Sequence, residues 1–203
     1  MIVLCSFLLG TAHAQFVKSI GLKGGVVWAN QNWDLSGYSE GDYNYRVDFH
    51  IAANAEFFQH KYVSLLAQGG YIRKGHQSEW NNWESNFVCS YLYFAPMLKA
   101  RINIDKFIPY LFIGPRVDFY LSHQDNGVLY YDERLTDNME NFIFGLHYGL
   151  GFEYLIGSIG IVTTFTHQYD FSLAFDGGSS LGLQSIKNNA FILDLGIKYY
   201  FGR

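Results

Sequence analysis

Cysteine, net charge and long apolar runs are all scarce in this sequence. Cys5 and Cys89 are the two cysteines, and Cys5 lies in an N-terminal segment that we expect to be removed, so the mature chain can form no internal disulfide. The net charge of −4 is small and spread along the chain, which argues against nucleic acid as a partner. No apolar run after residue 15 reaches the ~20 residues that a transmembrane helix needs.

Aromatic residues and glycine are abundant instead. The chain holds 16 Tyr, 18 Phe and 21 Gly, while only 16% of its residues are charged. This composition favours strands over helices. A length of 203 residues is enough for one domain with a real core, or for one small closed barrel.

The N-terminus predicts export. A short apolar run, Ile2–Leu9, is followed by Ala12-His13-Ala14, which fits a cleavage site with small residues on both sides of the central position. The run is too short to span a bilayer. We therefore predict a signal peptide over residues 1–14 and a barrel domain over residues 15–203.

The clearest strand pattern lies in the segment Asn86–Leu121. Two apolar and aromatic runs are joined by a short polar turn at Asn103–Lys106. In the second run Arg116 and Asp118 share one face, and the opposite face is apolar. A period of two indicates a strand between two different surroundings.

Eight such segments alternate along the chain, and the connections between them differ in length. The segments are Ser19–Trp28, Arg46–Phe58, Tyr62–Lys74, the two runs of Asn86–Leu121, Phe142–Ile156, Ile159–Phe171 and a last one containing Phe191 to Phe201. The connections after the odd segments are long and polar, at Ala29–Tyr45, Gly75–Ser85, Ser122–Asn141 and Ser172–Asn188. Those after the even segments are short. This asymmetry predicts an all-β fold, an eight-stranded antiparallel up-and-down transmembrane β-barrel, with long loops extracellular and both termini periplasmic.

The charges predict which face of each strand meets lipid. A soluble eight-stranded barrel is the alternative, but it would need a polar exterior. Here the apolar face has no charged residue in its middle, as expected where a charge at the membrane centre costs ~2–4 kcal/mol. The predicted lumen set carries both signs: Lys23, Arg46, Asp48, Glu56, Lys99, Arg116, Asp118, Glu153, Asp194 and Lys198.

Charges in so narrow a lumen must pair or be hydrated. Arg116 and Asp118 share a face of one strand, where Glu153 and Lys99 on the neighbouring strands can approach them. We therefore expect an ion-paired plug, with an Arg116–Glu153 pair as one hypothesis. A narrow passive channel is the alternative.

Four motifs resemble one family. The segments Tyr91–Lys99, Pro109–Arg116, Gly149–Tyr154 and Leu195–Phe201 are similar to strands of the PorT-like outer-membrane β-barrel family of Bacteroidota. The resemblance implies the same barrel in the outer membrane. Its founding member is implicated in type IX secretion and gliding, which implies envelope or secretion-system proteins as partners. Tyr93 departs from the family pattern, which has an acidic residue there.

Catalytic and metal-binding patterns are weak. A hydrolase or acyltransferase acting on lipid, the enzymatic alternative, needs a nucleophile beside an oriented histidine. His167 is near Thr166 and Asp170 in sequence, but alternate residues of a strand point to opposite faces. The histidines show neither HxH nor HExxH spacing. We therefore predict no enzyme activity, no metal site and no cofactor.

Aromatic residues stand out in the polar connections. They are Trp33, Tyr38, Trp80, Trp83, Tyr130 and Tyr131. Exposed aromatic rings are enriched at binding surfaces, and the alternative is that they cap the barrel mouth or rest at the lipid interface. The sequence thus predicts a non-enzymatic barrel with a structural, accessory or recognition role, surrounded by outer-membrane lipid.

Overall fold

A computed structural model describes residues 16–35, 44–80, 83–125, 139–176 and 183–202. The predicted signal peptide, residues 1–14, lies outside the described residues. The strands are β1 (Val17–Leu35), β2 (Asn44–Phe57), β3 (Val63–Trp80), β4 (Trp83–Arg101), β5 (Phe107–Asp125), β6 (Phe142–Ile156), β7 (Ile159–Asp170), β8 (Phe175–Asp176) and β9 (Leu183–Tyr200). In the part of the chain that the structure describes, no helix is long and apolar enough to cross a membrane.

The eight long strands close into a barrel. Each pairs antiparallel with the next one in sequence, and β9 pairs with both β7 and β1. The closing ladder runs along most of β1, from the pair Ser19 and Tyr200 to the pair Leu35 and Leu183. The two-residue β8 adds to β9 outside this ring, opposite Ile186 and Ser185. The predicted eight-stranded antiparallel barrel is confirmed.

The period-two pattern sorts side chains between the lumen and the exterior. Leu22, Leu111 and Leu195 point outward and are 60%, 62% and 64% exposed, whereas Lys99 and Glu153 point inward and are fully buried. Along the described strands, charged residues on the outward face lie only near strand ends, at Lys18, Arg73 and Lys187. An apolar exterior around a charged interior is the arrangement of a transmembrane barrel.

Tight turns at one end of the barrel follow from local sequence. Gly157 has a φ of 62° in the two-residue connection between β6 and β7. That value is what a type II′ hairpin turn requires at its first central position, where glycine carries no steric cost. Asp105, with a φ of 54°, turns the chain between β4 and β5. We call this end of the barrel the short-turn end and the other the long-loop end.

All four predicted long loops are too long, since β5 continues to Asp125, β9 begins at Leu183 and the other two loops are shortened as well. Within the stretch Gly75–Ser85, β3 continues to Trp80 and β4 begins at Trp83, and the two strands pair as far as these tryptophans. The first loop is also shorter than predicted, because β1 continues to Leu35. These strand ends carry mostly polar or small residues on both faces, including the buried Gln31 and His76, so they lack the apolar alternation by which strands were recognised. Three long connections remain at the long-loop end, and the fourth is two residues.

Apolar side chains close both ends of the lumen. At the long-loop end Met139, Ala174 and Phe175 are buried in the same cluster as lumen-facing side chains of the strands. Phe175 bridges to Met139 and belongs to β8. At the short-turn end Ile108 and Leu155 pack with Tyr200. The charged part of the lumen therefore lies between two apolar layers.

Candidate functional site in the barrel lumen

The charged group nearest the short-turn end is built from two lysines and two glutamates, and we call it the lower cluster. Lys99 Nζ lies 2.9 Å from Glu56 Oε2 and 2.6 Å from Glu153 Oε1. Lys198 Nζ lies 2.8 and 2.7 Å from the same two oxygens. Each ammonium group thus bridges both carboxylates, and all four side chains are buried. Arg101 approaches Glu56 Oε1 at 3.4 Å.

Neutral donors complete the lower cluster. Ser64 Oγ donates a hydrogen bond to Glu56 Oε1 at 2.6 Å, and the Tyr200 hydroxyl donates to Glu153 Oε2. Buried carboxylates are stable only when their oxygens are paired and hydrogen-bonded. Both glutamates meet that requirement with partners from several strands.

A middle cluster lies around Asp194. Lys23 Nζ is 3.0 Å from Asp194 Oδ2, and Thr164 Oγ1 donates to the same oxygen at 3.1 Å. His50 Nδ1 donates to Asp194 Oδ1 at 2.7 Å, so Nε2 of the neutral ring accepts a hydrogen bond, which the Tyr93 hydroxyl donates at 2.7 Å. Tyr93, the position where the PorT-like pattern has an acid, therefore still joins the polar network of the lumen.

The upper cluster, nearer the long-loop end, pairs two cations with two aspartates. Arg116 Nε lies 2.6 Å from Asp118 Oδ1, and Arg116 also contacts Asp170. Lys74 Nζ is 2.6 Å from Asp118 Oδ2 and 3.7 Å from Asp170 Oδ1. Asn188 Nδ2 donates to Asp170 Oδ2 at 3.0 Å. The charges of the four ionised groups cancel.

A looser group of charges, which we call the rim group, lies on β2 and β3 beside the upper cluster. Arg46 and Arg73 approach Asp48 at 3.3 and 3.4 Å, and their side chains are 22% and 23% exposed. Ion pairs with this much exposure contribute little to stability. The rim group therefore differs from the three buried clusters in its exposure.

Eight of the ten residues predicted for the lumen are buried in the lower, middle and upper clusters, and the other two, Arg46 and Asp48, lie in the rim group with Arg73. The hypothesis of an Arg116–Glu153 pair is wrong, because Arg116 belongs to the upper cluster and Glu153 to the lower one. Glu153 instead contacts Lys99 and Lys198. The tilt of barrel strands moves neighbouring residues to different heights, which a sequence pattern does not show.

Sequence reasoning missed four charged members of these groups. They are Arg73, Lys74, Arg101 and Asp170. Asp170 lies an even number of residues after the inward-facing Thr164 and Gln168, so the period of two was the signal that could have found it. Gln31, which the sequence placed in a loop, is also buried, and it donates to Asn188 Oδ1 at 2.8 Å.

Aromatic rings fill the space between the charged groups. Tyr93 stacks between His50 and His147, with ring centroids 5.6 and 5.7 Å apart. A cavity of about 10 Å³ lies beside Lys23, Gln68 and Thr164. That volume is on the order of one water molecule. This part of the lumen is occupied by side chains.

Strand geometry separates the residues considered for catalysis. Thr166 and Asp170 are buried in the lumen, whereas His167 points to the outer wall and contacts Tyr148 and Asn189. Among the described residues, no group of three or more His, Cys, Asp or Glu side chains is arranged to hold a metal ion. Cys89 is a buried free thiol.

The predicted loop aromatics divide into two sets. Tyr38, Tyr130 and Tyr131 lie outside the described residues. The placement of the other three in loops is wrong. Trp33 lies in β1, two residues before its end, and Trp80 and Trp83 pair in the β3–β4 ladder. These three tryptophans therefore extend the barrel wall at the long-loop end.

The fold is similar to three solved barrels. The outer membrane protein OprG from Pseudomonas aeruginosa superimposes with a TM-score of 0.60 and 13% identity over 94% of this chain and 99% of that one. The outer membrane protein AlkL in DMPC lipid bilayers gives 0.53 and 14% over 94% and 93%. Neisserial surface protein A gives 0.51 and 10% over 90% and 97%. At these identities the likeness shows the fold alone.

Sequence comparison adds no family. No protein-family description and no curated protein matches the chain. The resemblance to the PorT-like family therefore stays a prediction that rests on the four strand motifs.

Proposed function

We propose that the chain is a non-enzymatic protein of the bacterial outer membrane, with a plugged lumen and a structural, accessory or recognition role in the cell envelope. The observation that carries the proposal is the lower cluster, in which Lys99 and Lys198 each bridge Glu56 and Glu153 across the lumen. Four charges held in this way take the space that a permeating ion would need.

The outer-membrane location is supported by the barrel fold and its apolar exterior. We assign the long-loop end to the extracellular side and both termini to the periplasm, as in bacterial barrels with short periplasmic turns. The surrounding partner is outer-membrane lipid.

Recognition would take place at the long-loop end. Met139, Ala174 and Phe175 cover the lumen there. A partner would therefore contact the outer surface of these covering segments and the strand ends around them. The aromatics Trp33, Tyr38, Trp80, Trp83, Tyr130 and Tyr131 belong to these segments. The PorT-like resemblance suggests envelope or secretion-system proteins, including type IX secretion, as the partners.

Conductance in planar bilayers tests the plug. We expect the wild-type protein to give no steady current, because paired side chains fill the lumen between its apolar ends. The Lys99→Ala/Glu153→Ala variant removes two bridging side chains and should give small openings if it still assembles. Large, stable, ion-selective currents from the wild type would reject the plug and favour the narrow channel.

A pulldown from detergent-solubilised outer membrane tests the recognition role. Wild-type protein is compared with a variant that carries serine at Trp80 and Trp83, a change confined to the β3–β4 hairpin tip. A specific co-purifying envelope protein that is lost from the variant would support recognition at this end. Identical profiles for both proteins, with no enriched partner, would leave the structural role as the function.

A further inference from the structure

The outer wall of the barrel carries a furrow that ends at a polar group. The furrow has a volume of about 480 Å³. It lies between two rows of outward side chains that cross β4, β5, β6 and β7. One row is Leu98, Ile113, Tyr148 and His167, and the other is Ala100, Leu111, Leu150 and Phe165. We call it the β4–β7 furrow.

The polar group is a hydrogen-bonded chain of three side chains on three strands. The Tyr148 hydroxyl donates to His167 Nδ1 at 2.6 Å. The His167 ring is then protonated on Nε2, which donates to Asn189 Oδ1 at 2.5 Å. Phe191 stacks on the same imidazole with ring centroids 4.4 Å apart and holds its orientation.

The hydrogen-bonded chain ends at the amide nitrogen of Asn189, a donor that has no acceptor among the described residues. Asn189 Oδ1 accepts from His167, which turns the amide nitrogen away from the ring. Among the residues that the structure describes, none accepts a hydrogen bond from Asn189 Nδ2. Lys187 lies two residues further along the same face of β9, with its Nζ 5.6 Å from the centre of the Tyr169 ring. An amide and an ammonium group therefore lie two residues apart on the outward face of β9, next to the His167 that lines the furrow.

The height of this group matches the outer part of the membrane. Tyr148 lies eight residues before Ile156, the last residue of β6. With a rise of ~3.3 Å per residue and a strand tilt of ~40°, this places the tyrosine roughly 20 Å above the short-turn end. The apolar band of such barrels is ~25 Å tall. The polar chain thus lies in the outer third of the band, just below the lipid head groups.

A second furrow on the same wall provides a contrast. It is larger, about 780 Å³, and its outward lining includes Ala53, Ala67 and Gly69. Its outward side chains are apolar or small except for Tyr199, near the short-turn end. Volume alone therefore does not distinguish the β4–β7 furrow from this larger one. The hydrogen-bond donors near its upper end, Asn189 and Lys187, do.

We propose that the β4–β7 furrow binds one phospholipid molecule, with an acyl chain along the two apolar rows and the phosphate group at Asn189 and Lys187. Hydrocarbon fills the furrow by the same apolar contacts that cover the rest of the exterior. The phosphate oxygens accept from the Asn189 amide and pair with the Lys187 ammonium group, and such charge-assisted bonds are stronger than neutral ones. His167 is a positioning residue that fixes the amide through its own hydrogen bond.

Native mass spectrometry of the protein released from detergent micelles tests the proposal. The probes are phosphatidic acid, phosphatidylglycerol and phosphatidylcholine with identical acyl chains. We expect one retained lipid per barrel and at least a tenfold preference for phosphatidic acid over phosphatidylcholine. Lys187→Gln and His167→Leu should abolish the preference, while Ala100→Phe, which fills the furrow, should remove retention of all three lipids.

Matched variants separate the site from general effects. Ala67→Phe fills the other furrow, and Arg73→Gln removes a cation at a similar height on β3, so both should retain lipid as the wild type does. Heat-modifiable migration on gels checks that each variant has folded. Equal retention of all three lipids by the wild type, or retention that Ala100→Phe leaves unchanged, would overturn the proposal.

Nuclear magnetic resonance of protein with ¹⁵N-labelled histidine gives a second readout in phosphatidylcholine nanodiscs. The His167 signals, identified by their loss in His167→Leu, should shift when phosphatidic acid is added and stay in place with inorganic phosphate at the same concentration. A shift with inorganic phosphate alone would reject the acyl-chain part of the site. Cross-linked dimers that map to Leu150 and Phe165 would assign the furrow to a second copy of the chain instead.

Discussion

The lower and upper clusters pair opposite charges in the same lumen, but they take them from different sets of strands. The lower cluster takes Glu56, Lys99, Glu153 and Lys198 from β2, β4, β6 and β9. The ionised groups of the upper cluster, Lys74, Arg116, Asp118 and Asp170, come from β3, β5 and β7. Inward side chains of a tilted barrel form layers from alternate strands. The two clusters are therefore separate layers, and a change in one leaves the pairs of the other in place.

The clusters also differ in how well they tolerate the loss of one charge. With Arg101 included, the lower cluster holds three cations and two carboxylates, an excess of one positive charge. The upper cluster holds two of each and is neutral. Removing a carboxylate from the lower cluster leaves three cations around one carboxylate. Removing a cation from the upper cluster leaves one cation that still contacts both aspartates.

The largest effect is expected from Glu56→Gln in the lower cluster. The change keeps the shape of the side chain but removes the charge that faces Lys99, Lys198 and Arg101. We expect the free energy of unfolding to fall by ~3–5 kcal/mol, the usual cost of breaking a buried ion pair. Urea unfolding in lipid vesicles measures it, with the exposed Glu140→Gln as a control that should change by less than ~0.5 kcal/mol. A loss of that small size at Glu56 would mean that the lower cluster is not a closed set of ion pairs.

Arg116→Met in the upper cluster should cost less, about 2–3 kcal/mol, a value below the range for an unrelieved buried charge. Lys74 remains 2.6 Å from Asp118 and 3.7 Å from Asp170, so neither aspartate is left without a cation. Arg73→Met in the half-exposed rim group is the matched control, with an expected change below ~1 kcal/mol. The same unfolding assay gives both values. If Arg116→Met proves costlier than Glu56→Gln, the shared contacts of Lys74 do not compensate as described.

Smaller effects are expected from the neutral hydrogen-bond donors. Asn188→Ala removes the donor to Asp170 and also the acceptor of Gln31, so we expect a loss of about 1–2 kcal/mol. Ser64→Ala removes one donor from Glu56, which keeps three cations, and should cost less than ~1 kcal/mol. The order of the two unfolding midpoints checks this contrast. An equal or reversed order would show that the cations of the lower cluster do not compensate for the loss of the Ser64 hydroxyl.

The sequence predicted the barrel because each mid-membrane strand lies between lipid and a polar lumen. The alternation at Val47–Phe57 or Leu111–Leu121 reports both surroundings directly. The sequence-based prediction failed at the strand ends, where outward and inward residues no longer differ in polarity. Gly75, His76 and Gln77 continue β3 with small or polar residues on both faces, although His76 is buried, so their pattern resembled a loop.

The composition of the lumen was also accessible from sequence, but the pairing of its charges was not. Period two assigns Arg116 and Glu153 to the inward face, yet whether they meet depends on the relative height of β5 and β6 across the barrel. Glu153 pairs in the ladder with Ile108, eight residues before Arg116 on β5. That offset, set by the register of the whole closed sheet, puts the two side chains in different layers.

Two double-mutant cycles test most directly whether the charges are organised in these separate layers. Unfolding free energies are measured for Lys99→Met, Glu153→Gln, Arg116→Met and the two double variants that contain Glu153→Gln. Side chains in direct contact couple, whereas distant ones add within ~0.5 kcal/mol. The structure predicts a coupling energy of at least ~1.5 kcal/mol between Lys99 and Glu153, and less than ~0.5 kcal/mol between Arg116 and Glu153. Strong coupling of Arg116 to Glu153, together with additive losses at Lys99 and Glu153, would contradict the layered lumen.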